Sequence, residues 1–216
     1  MSISNNPSKI EVTKLLKKAV FSFGNEAESW TTIDETLDLP EALYVAAKGL
    51  PLISILLKDL ESSLDSKESD ELKDKYTAIY RFADLCLKRI DYLKSIVKAV
   101  TSPGDPTPKE EKYREAAETC GGIAIEAVMK DLLQRAINLA TSCLTDDYLK
   151  SSLQAVLEEV VKLKPSLEEG WRGQVSLRNY GQGNQFYHGG RGNQNHSQGG
   201  NQFTGNGYTL HMGSGE

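Results

Sequence analysis

The chain has 216 residues, of which 25 are lysine or arginine and 30 are aspartate or glutamate, giving a formal net charge of −5. Residues 1–169, the head, hold 5 of the 18 glycines and a charge of −7, whereas residues 170–216, the tail, hold 13 glycines and +2. This length suits one ordinary domain with an appended segment. The negative head argues against a nucleic-acid-binding surface spread over it.

The first residues, MSISNNPSKIEVTK, lack the basic segment followed by an apolar segment that marks a secretory signal. The most apolar stretch, LPLISILL from Leu50, is much shorter than the roughly 18 apolar residues that indicate a membrane-spanning helix. We therefore expect a soluble, cytoplasmic protein in its resting state.

Ser8 and Glu11 have the spacing of a capping box, in which both side chains satisfy amide donors at the start of a helix. Behind them, an apolar stripe at helical spacing predicts an amphipathic helix. The stripe consists of Val12, Leu15, Leu16, Ala19, Val20 and Phe23. Gly24 and Asn25 are expected to end this helix, and a short helix is predicted over residues 26–37.

Two prolines mark the next helical pattern. Pro40 suits the first turn, where its missing N–H is harmless, and Pro51 lies within the pattern, so a kink or a short break is expected there. A long helix is predicted from Glu68 to Val100, because its apolar residues recur every three or four positions. These residues are Leu72, Tyr76, Ile79, Phe82, Cys86, Ile90, Leu93 and Val97.

The segment TSPGDPTPKEE, rich in proline, interrupts the helical pattern after residue 100. Thr107 as N-cap and Pro108 at the first helical position predict a new start. This helix is expected to continue to about Ser142, with Gly121 and Gly122 as the point where it can be interrupted.

Thr145 or Asp146 is expected to cap the last helix, which Pro165 ends. Together these patterns predict an all-α helical bundle of five or six helices without strands. A domain of this size buries about 70% of the surface that its unfolded chain exposes, so we expect residues 1–169 to fold independently.

Catalytic and metal-binding patterns are missing from the sequence. The head contains no histidine, which is the commonest general base and the usual partner of a serine or cysteine nucleophile. The chain also lacks P-loop, GxSxG and HExxH motifs. Cys86, Cys120 and Cys143 show no CxxC spacing and are interpreted as reduced core thiols. We expect no enzyme activity, no metal and no cofactor.

The tail repeats one unit three times, as GNQF at 183, GNQN at 192 and GNQF at 200. Glycine, asparagine and glutamine make up 20 of residues 181–213, so an isolated tail buries too little apolar area to offset its ordering entropy and should be disordered. Identical tails stacked in register pair every backbone amide with a copy about 4.7–4.8 Å away, while amide side chains form ladders. The tail therefore predicts cross-β self-assembly.

Three other interpretations of the tail remain open. A flexible linker favours glycine and serine over a phased GNQF unit. An RNA-binding tail needs many arginines for phosphate contact, whereas the repeat region contains only Arg191. A histidine-based metal site needs a fixed geometry that a disordered segment lacks.

The segment NYGQGNQFYHGGRGNQNHSQGGNQFTGNGYTL resembles the fungal sigma-type amyloid motif, in which G-x-G-N-Q-aromatic and G-T-Q-N-N-N units repeat. LPEALYVAAKGLPLISILLKDLE is similar to the SesA-type domain at the N-terminus of fungal NACHT receptors, one of the HeLo-like helical families. These resemblances imply a SesA-type bundle in residues 1–169, a linker in 170–180 and an amyloid-forming motif in 181–213. The matching positions are Gly183, Asn184, Gln185, Phe186, Gly192, Asn193, Gln194, Gly200, Asn201, Gln202 and Phe203.

The resemblance implies a signalling role in fungal innate immunity or incompatibility, ending in programmed cell death. A NACHT/STAND receptor with a matching motif would template the tail as functional amyloid, and the clustered heads would act as the effector. The 216 residues show no NACHT module, so the chain is expected to be the partner of such a receptor. The alternatives are a non-toxic scaffold that oligomerises through its tail and, more remotely, an RNA-binding protein.

Membrane contact is a further expectation. In HeLo-like relatives an N-terminal apolar segment is thought to insert into membranes, but here the first helix is amphipathic and carries lysines. Such a helix suits the surface of an anionic bilayer, and the head would then relocate to the plasma membrane after assembly. The alternative is that the apolar stripe packs in the bundle. The candidate membrane-facing residues are Lys14, Leu15, Lys17, Lys18 and Phe23.

Overall fold

The chain divides into two units, Met1–Glu169 and Gly170–Glu216. The computed structural model describes residues 6–33, 38–66, 69–144 and 146–167, all within the first unit. The predicted linker at 170–180 and the predicted amyloid motif at 181–213 lie outside the described residues.

Six α-helices make up the described part of the chain, together with short 3-10 helices at Trp30–Thr32 and Ser69–Lys75. The described residues contain no strand, which confirms the predicted all-α bundle of five or six helices. The helices are α1 (Lys9–Ser29), α2 (Glu41–Asp65), α3 (Tyr76–Thr101), α4 (Lys109–Thr119), α5 (Ile125–Cys143) and α6 (Asp147–Lys162).

One hydrophobic core runs through the bundle. Helix α1 packs against α2 and α3, α5 packs against α2 and α6, and α4 packs against α3. Burying a large apolar side chain stabilises a fold by about 1.5–3 kcal/mol relative to leaving it exposed. The largest fully buried side chains include Phe23, Trp30, Phe82 and Tyr113.

The capping box at the start of α1 is confirmed. The backbone N–H of Glu11 donates to Ser8 Oγ at 3.3 Å, and the N–H of Ser8 donates to Glu11 Oε2 at 2.8 Å. The expected end at Gly24 and Asn25 is wrong, because α1 continues to Ser29. Buried contacts made by the next residues hold the helix beyond the glycine and override its low helix propensity.

Three other boundaries differ from the predictions. The long helix begins at Tyr76, since the charged segment Ser69–Lys75 forms a 3-10 helix. Of the kink or short break expected at Pro51, the break is absent, because α2 continues through the proline with buried residues on both sides of it. Thr107 does not cap α4; its N–H donates to Asp105 Oδ1 at 3.0 Å, and Pro108 takes the cap position.

The remaining helix ends follow the sequence pattern more closely. Gly121 and Gly122 have φ angles of 97° and 66°, which glycine adopts readily, and they separate α4 from α5. Asp146 caps α6, because its Oδ1 accepts the N–H of Tyr148 at 2.9 Å and that of Leu149 at 3.1 Å. Of the two caps that the sequence allowed, the structure therefore selects the aspartate.

Glycine also brings α2 close to α5 and α6. A Cβ atom added at Gly49 would lie 2.8 Å from Met129 Cε and 3.1 Å from Val156 Cγ1. By contrast, a Cβ at Gly24 would meet only Ser54 Oγ, at 3.4 Å. The helix packing therefore requires the missing side chain at Gly49 more than at Gly24.

Candidate functional site

The inner face of α1 forms part of the core. Phe23 is fully buried, and Leu15 is half-buried against the same core. In this fold the two residues lie on the side of α1 that packs in the bundle, as the alternative interpretation of the stripe expected, and their membrane-facing role stays a prediction. The stripe residues that are fully buried are Val12, Leu16, Ala19 and Phe23.

The opposite side of α1, its outer face, combines two exposed apolar side chains with lysines. The exposed fractions are 79% for Ile10 and 73% for Phe21. The two residues are eleven positions apart, which corresponds to about 16.5 Å along a helix and about 20° around its axis. We define the outer face as Ile10, Lys14, Lys17, Lys18 and Phe21, with all three lysines exposed.

The electrostatics of the outer face are positive. Lys17 Nζ lies 3.2 Å from Asp65 Oδ2, and both side chains are about half exposed, so this pair contributes little to stability. Among the described residues, neither Lys14 nor Lys18 takes part in an ion pair. These two ammonium groups can therefore meet an external anion without first breaking an ion pair.

The five predicted membrane-facing residues lie on two sides of α1. Lys14, Lys17 and Lys18 are exposed, as a membrane-facing role requires. Ile10 and Phe21 were missed, because they lie outside the apolar stripe that predicted the helix. A helical projection of residues 9–29 contains the signal, since both residues fall on the side opposite Leu16.

A carboxylate is buried at the C-terminal end of α1. Glu26 is 4% exposed, and its Oε1 accepts the Nε1–H of Trp30 and the hydroxyl of Ser29, both at 3.2 Å. Burial raises the pKa of Glu26, while these two hydrogen bonds and the charge of Lys94 oppose the rise. The ionised form therefore costs stability in the folded chain.

A groove with a volume of about 970 Å³ lies beside the first turns of α2 and α4. Lys112, only 7% exposed, lines the groove and donates from Nζ to the carbonyl oxygens of Asp105 at 3.1 Å and Ser102 at 3.4 Å. Hydrogen bonds from Thr107 hold the pKa of Asp105 below its usual range. Lys112 thus fastens the proline-rich loop after α3, and its donors are used within the fold.

The cysteines are interpreted correctly as unbridged thiols associated with the core. Cys86 is buried, and Cys120 and Cys143 are half-buried. Burial raises the pKa of the Cys86 and Cys143 thiols. Both stay protonated at neutral pH, and a protonated thiol is a weak nucleophile and metal ligand.

Within residues 6–33, 38–66, 69–144 and 146–167, no helix is both long and apolar enough to cross a bilayer. In the same ranges, no three histidine, cysteine, aspartate or glutamate side chains converge as metal ligands would. The predicted self-assembly residues between 183 and 203 lie outside the described residues.

Comparison with known families identifies the head. The SesA family model, described as the N-terminal domain on NACHT NTPase and P-loop NTPases, matches residues 19–139, more than half of the chain. The chain belongs to the SesA family. The SesA match extends from the middle of α1 to the last turns of α5 and confirms the SesA-type resemblance of the head. Searches of the curated proteins and of the solved structures gave no match.

Proposed function

We propose that this SesA protein is a signalling component of a fungal cell-death pathway, activated when a NACHT/STAND receptor templates its tail. The observation that carries the proposal is the combination, in one chain, of a SesA match over residues 19–139 with a phased GNQ repeat between 183 and 203. The family supplies the link to NACHT NTPases. The repeat supplies a means of assembly.

The proposed self-assembly is based on the low content of large apolar side chains in the tail. Residues 181–213 contain few large apolar side chains, so a single copy gains too little from burial to offset the roughly 1–2 kcal/mol per residue of backbone entropy. Stacked copies satisfy the same backbone amides and align the amide side chains in ladders. A receptor that presents several matching repeats would supply the first layer of such a stack.

Assembly of the tails would concentrate the heads. Layers in a cross-β stack are about 4.7–4.8 Å apart, whereas a folded domain of this size has a radius of gyration of about 15 Å. The linker 170–180 reaches at most about 36–40 Å when fully extended. Successive heads would therefore crowd around the stack, and many weak contacts of the heads would act together.

We assign the outer face of α1 as the membrane-contacting surface of the clustered heads. Its exposed apolar pair, Ile10 and Phe21, flanks the lysines, which suits an interfacial helix at an anionic bilayer. Each basic residue near such a surface contributes about 1 kcal/mol. A single head carries a net charge of −7, so membrane binding should require many copies. The free chain would remain in the cytoplasm.

Vesicle binding tests this assignment. Full-length chains, free and assembled, are sedimented with vesicles of phosphatidylcholine alone or mixed with phosphatidylserine. We expect only the assembled chain to bind, only to anionic vesicles, and more weakly at high salt. Replacing Ile10 and Phe21 by alanine should reduce binding by roughly tenfold per side chain. The matched control is Val161→Ala, another exposed apolar residue, at 60% exposure.

Expression in a fungal host tests the function as a whole. The full chain and a 1–178 truncation are produced with the receptor that carries the matching repeat. Death that requires the tail, with the head relocating to the plasma membrane, supports the effector. Equal survival with both chains would contradict it.

A scaffold without toxicity is the second candidate function. It is favoured by the burial of the apolar stripe of α1, including Phe23, which leaves the bundle without a long apolar face on this helix. Tail-dependent puncta without death would support the scaffold. In both versions we assign the head a role in association and no catalytic chemistry, which agrees with the raised pKa of the Cys86 and Cys143 thiols.

A further inference from the structure

The segment that follows α6 is fastened to the start of α5 through one serine. The N–H of Ser166 donates to Glu126 Oε1 at 2.8 Å, and its hydroxyl donates to Glu126 Oε2 at 2.5 Å. The Tyr113 hydroxyl lies 2.7 Å from Ser166 Oγ and accepts the N–H of Ile125 at 3.1 Å. We name these four residues, Tyr113, Ile125, Glu126 and Ser166, the exit clasp.

The hydrogen bonds of the exit clasp form a chain in which Tyr113 donates to Ser166 and Ser166 donates to Glu126. Because the hydroxyl proton of Ser166 goes to Glu126, its oxygen accepts the proton of the Tyr113 hydroxyl. Burial raises the pKa of Tyr113, so this phenol remains a donor at neutral pH. The chain of bonds ends on a carboxylate, which strengthens it, and its members polarise one another.

The exit clasp holds a short segment whose side chains are less buried than those of α6. Beyond α6, Leu163 and Leu167 are only partly buried, and Lys164 and Pro165 are exposed. Helix α6 is held much more firmly, since four of its side chains lie in the core. They are Leu149, Leu153, Val156 and Val160. Force applied beyond residue 167 would therefore detach the partly buried Leu167 and then Ser166, and so open the exit clasp, before it detached α6.

We propose that the exit clasp is a conformational switch that couples the state of the tail to the head. This inference rests on the proposed function, in which stacked tails crowd the heads and hold their linkers taut. The exit clasp is closed in the free chain and open in the assembled chain. Since Lys164, Pro165 and Ser166 form part of the wall of the 970 Å³ groove, opening also widens the groove beside α2 and α4.

Residue-resolved hydrogen–deuterium exchange of the full-length chain tests the switch. The exchange rates of the Ser166 and Ile125 amides report whether the exit clasp is closed, because each N–H donates to a member of it. In the free wild-type chain both should exchange slowly. Assembly should accelerate both at least tenfold, while amides in the middle of α6 stay protected. An increase confined to the tail, with Ser166 and Ile125 unchanged, would overturn the coupling.

Variants separate this inference from the proposed function. Ser166→Ala removes the bridging hydroxyl, and Glu126→Gln leaves one acceptor oxygen for two donors, so each should accelerate Ile125 exchange at least tenfold in the free chain. The matched control is Ser151→Ala, whose hydroxyl donates to the Asp147 carbonyl within α6. If the chain never assembles, the proposed function fails. The exchange of Ile125 in the free variants then still tests whether the exit clasp protects this amide. If the Ile125 amide of both variants exchanged at the same rate as in Ser151→Ala, the exit clasp would be overturned.

Discussion

The head and the tail of this SesA protein differ in the side chains that can stabilise an ordered backbone. The head places apolar side chains at helical spacing, and a single copy buries them in one core. The tail supplies glycine and amide side chains with few apolar ones, a composition that favours bonding between copies. Phenylalanine occurs in both regions. Substituting it in the head tests the stability of a single folded chain, whereas substituting it in the tail tests assembly of several chains.

The largest effect is expected in the tail. Replacing Phe186 and Phe203 together by aspartate should abolish assembly, because like charges about 4.8 Å apart repel by roughly 0.9 kcal/mol even at the dielectric constant of water. Thioflavin fluorescence measures the assembly, and circular dichroism should show an unchanged helical head. Ser214→Asp, outside the repeat, is the control. Fibrils from the double variant at the wild-type rate would contradict the role of the repeat.

The next largest effect is expected on the inner face of α1. Phe23→Ala should lower the free energy of unfolding of the full chain by about 3–5 kcal/mol, because it leaves a cavity in the core. Phe21→Ala, two positions away on the exposed side, should change it by no more than about 0.5 kcal/mol. Urea denaturation measures both, and equal losses would contradict the assignment of the two faces.

Helix packing should show a moderate effect. Gly49→Val should destabilise the head by about 1–3 kcal/mol, since the new side chain would overlap Met129 and Val156. Gly24→Ala should instead stabilise it by about 0.5–1 kcal/mol, because alanine favours the helix and has room there. Thermal unfolding monitored by circular dichroism compares the two. A stabilising Gly49→Val would show that α2 does not approach α5 this closely.

The smallest effect concerns pH. Burial raises the pKa of Glu26 in the folded state, so Glu26 lowers stability as pH rises above about 4.5, its ordinary pKa, and through the raised value. Glu26→Gln keeps an acceptor for Trp30 and removes the charge. Its stability relative to the wild type should therefore increase from pH 4.5 to pH 7. Glu28→Gln, a change of the same kind at an exposed position of the same helix, is the matched control.

Local patterns in the sequence account for much of the fold. The capping box of Ser8 and Glu11 and the inner stripe of α1 were predictable, because their partners lie within a few positions. The passage of α1 through Gly24 was not predictable, since it depends on packing against α2. The exit clasp was not predictable either, because Ser166 lies 40 positions from Glu126 and 53 from Tyr113.

The candidate surface was predictable in part. Lysines 14, 17 and 18 lie off the apolar stripe, and that pattern located the positive side of α1. The predicted apolar residues, Leu15 and Phe23, pack against the core, since burial in a bundle takes up an apolar stripe at helical spacing. Ile10 and Phe21, which lie outside that stripe, are exposed on the same side of the helix as these lysines.

Fibre diffraction of the full-length chain tests the central claim most directly. Chains at high concentration, seeded with a peptide of residues 181–213, should form fibres with a meridional reflection at about 4.7–4.8 Å, while the heads retain their helical circular dichroism. Chains that stay monomeric after seeding, or fibres without this reflection, would contradict the claim that the tail becomes ordered against copies of itself.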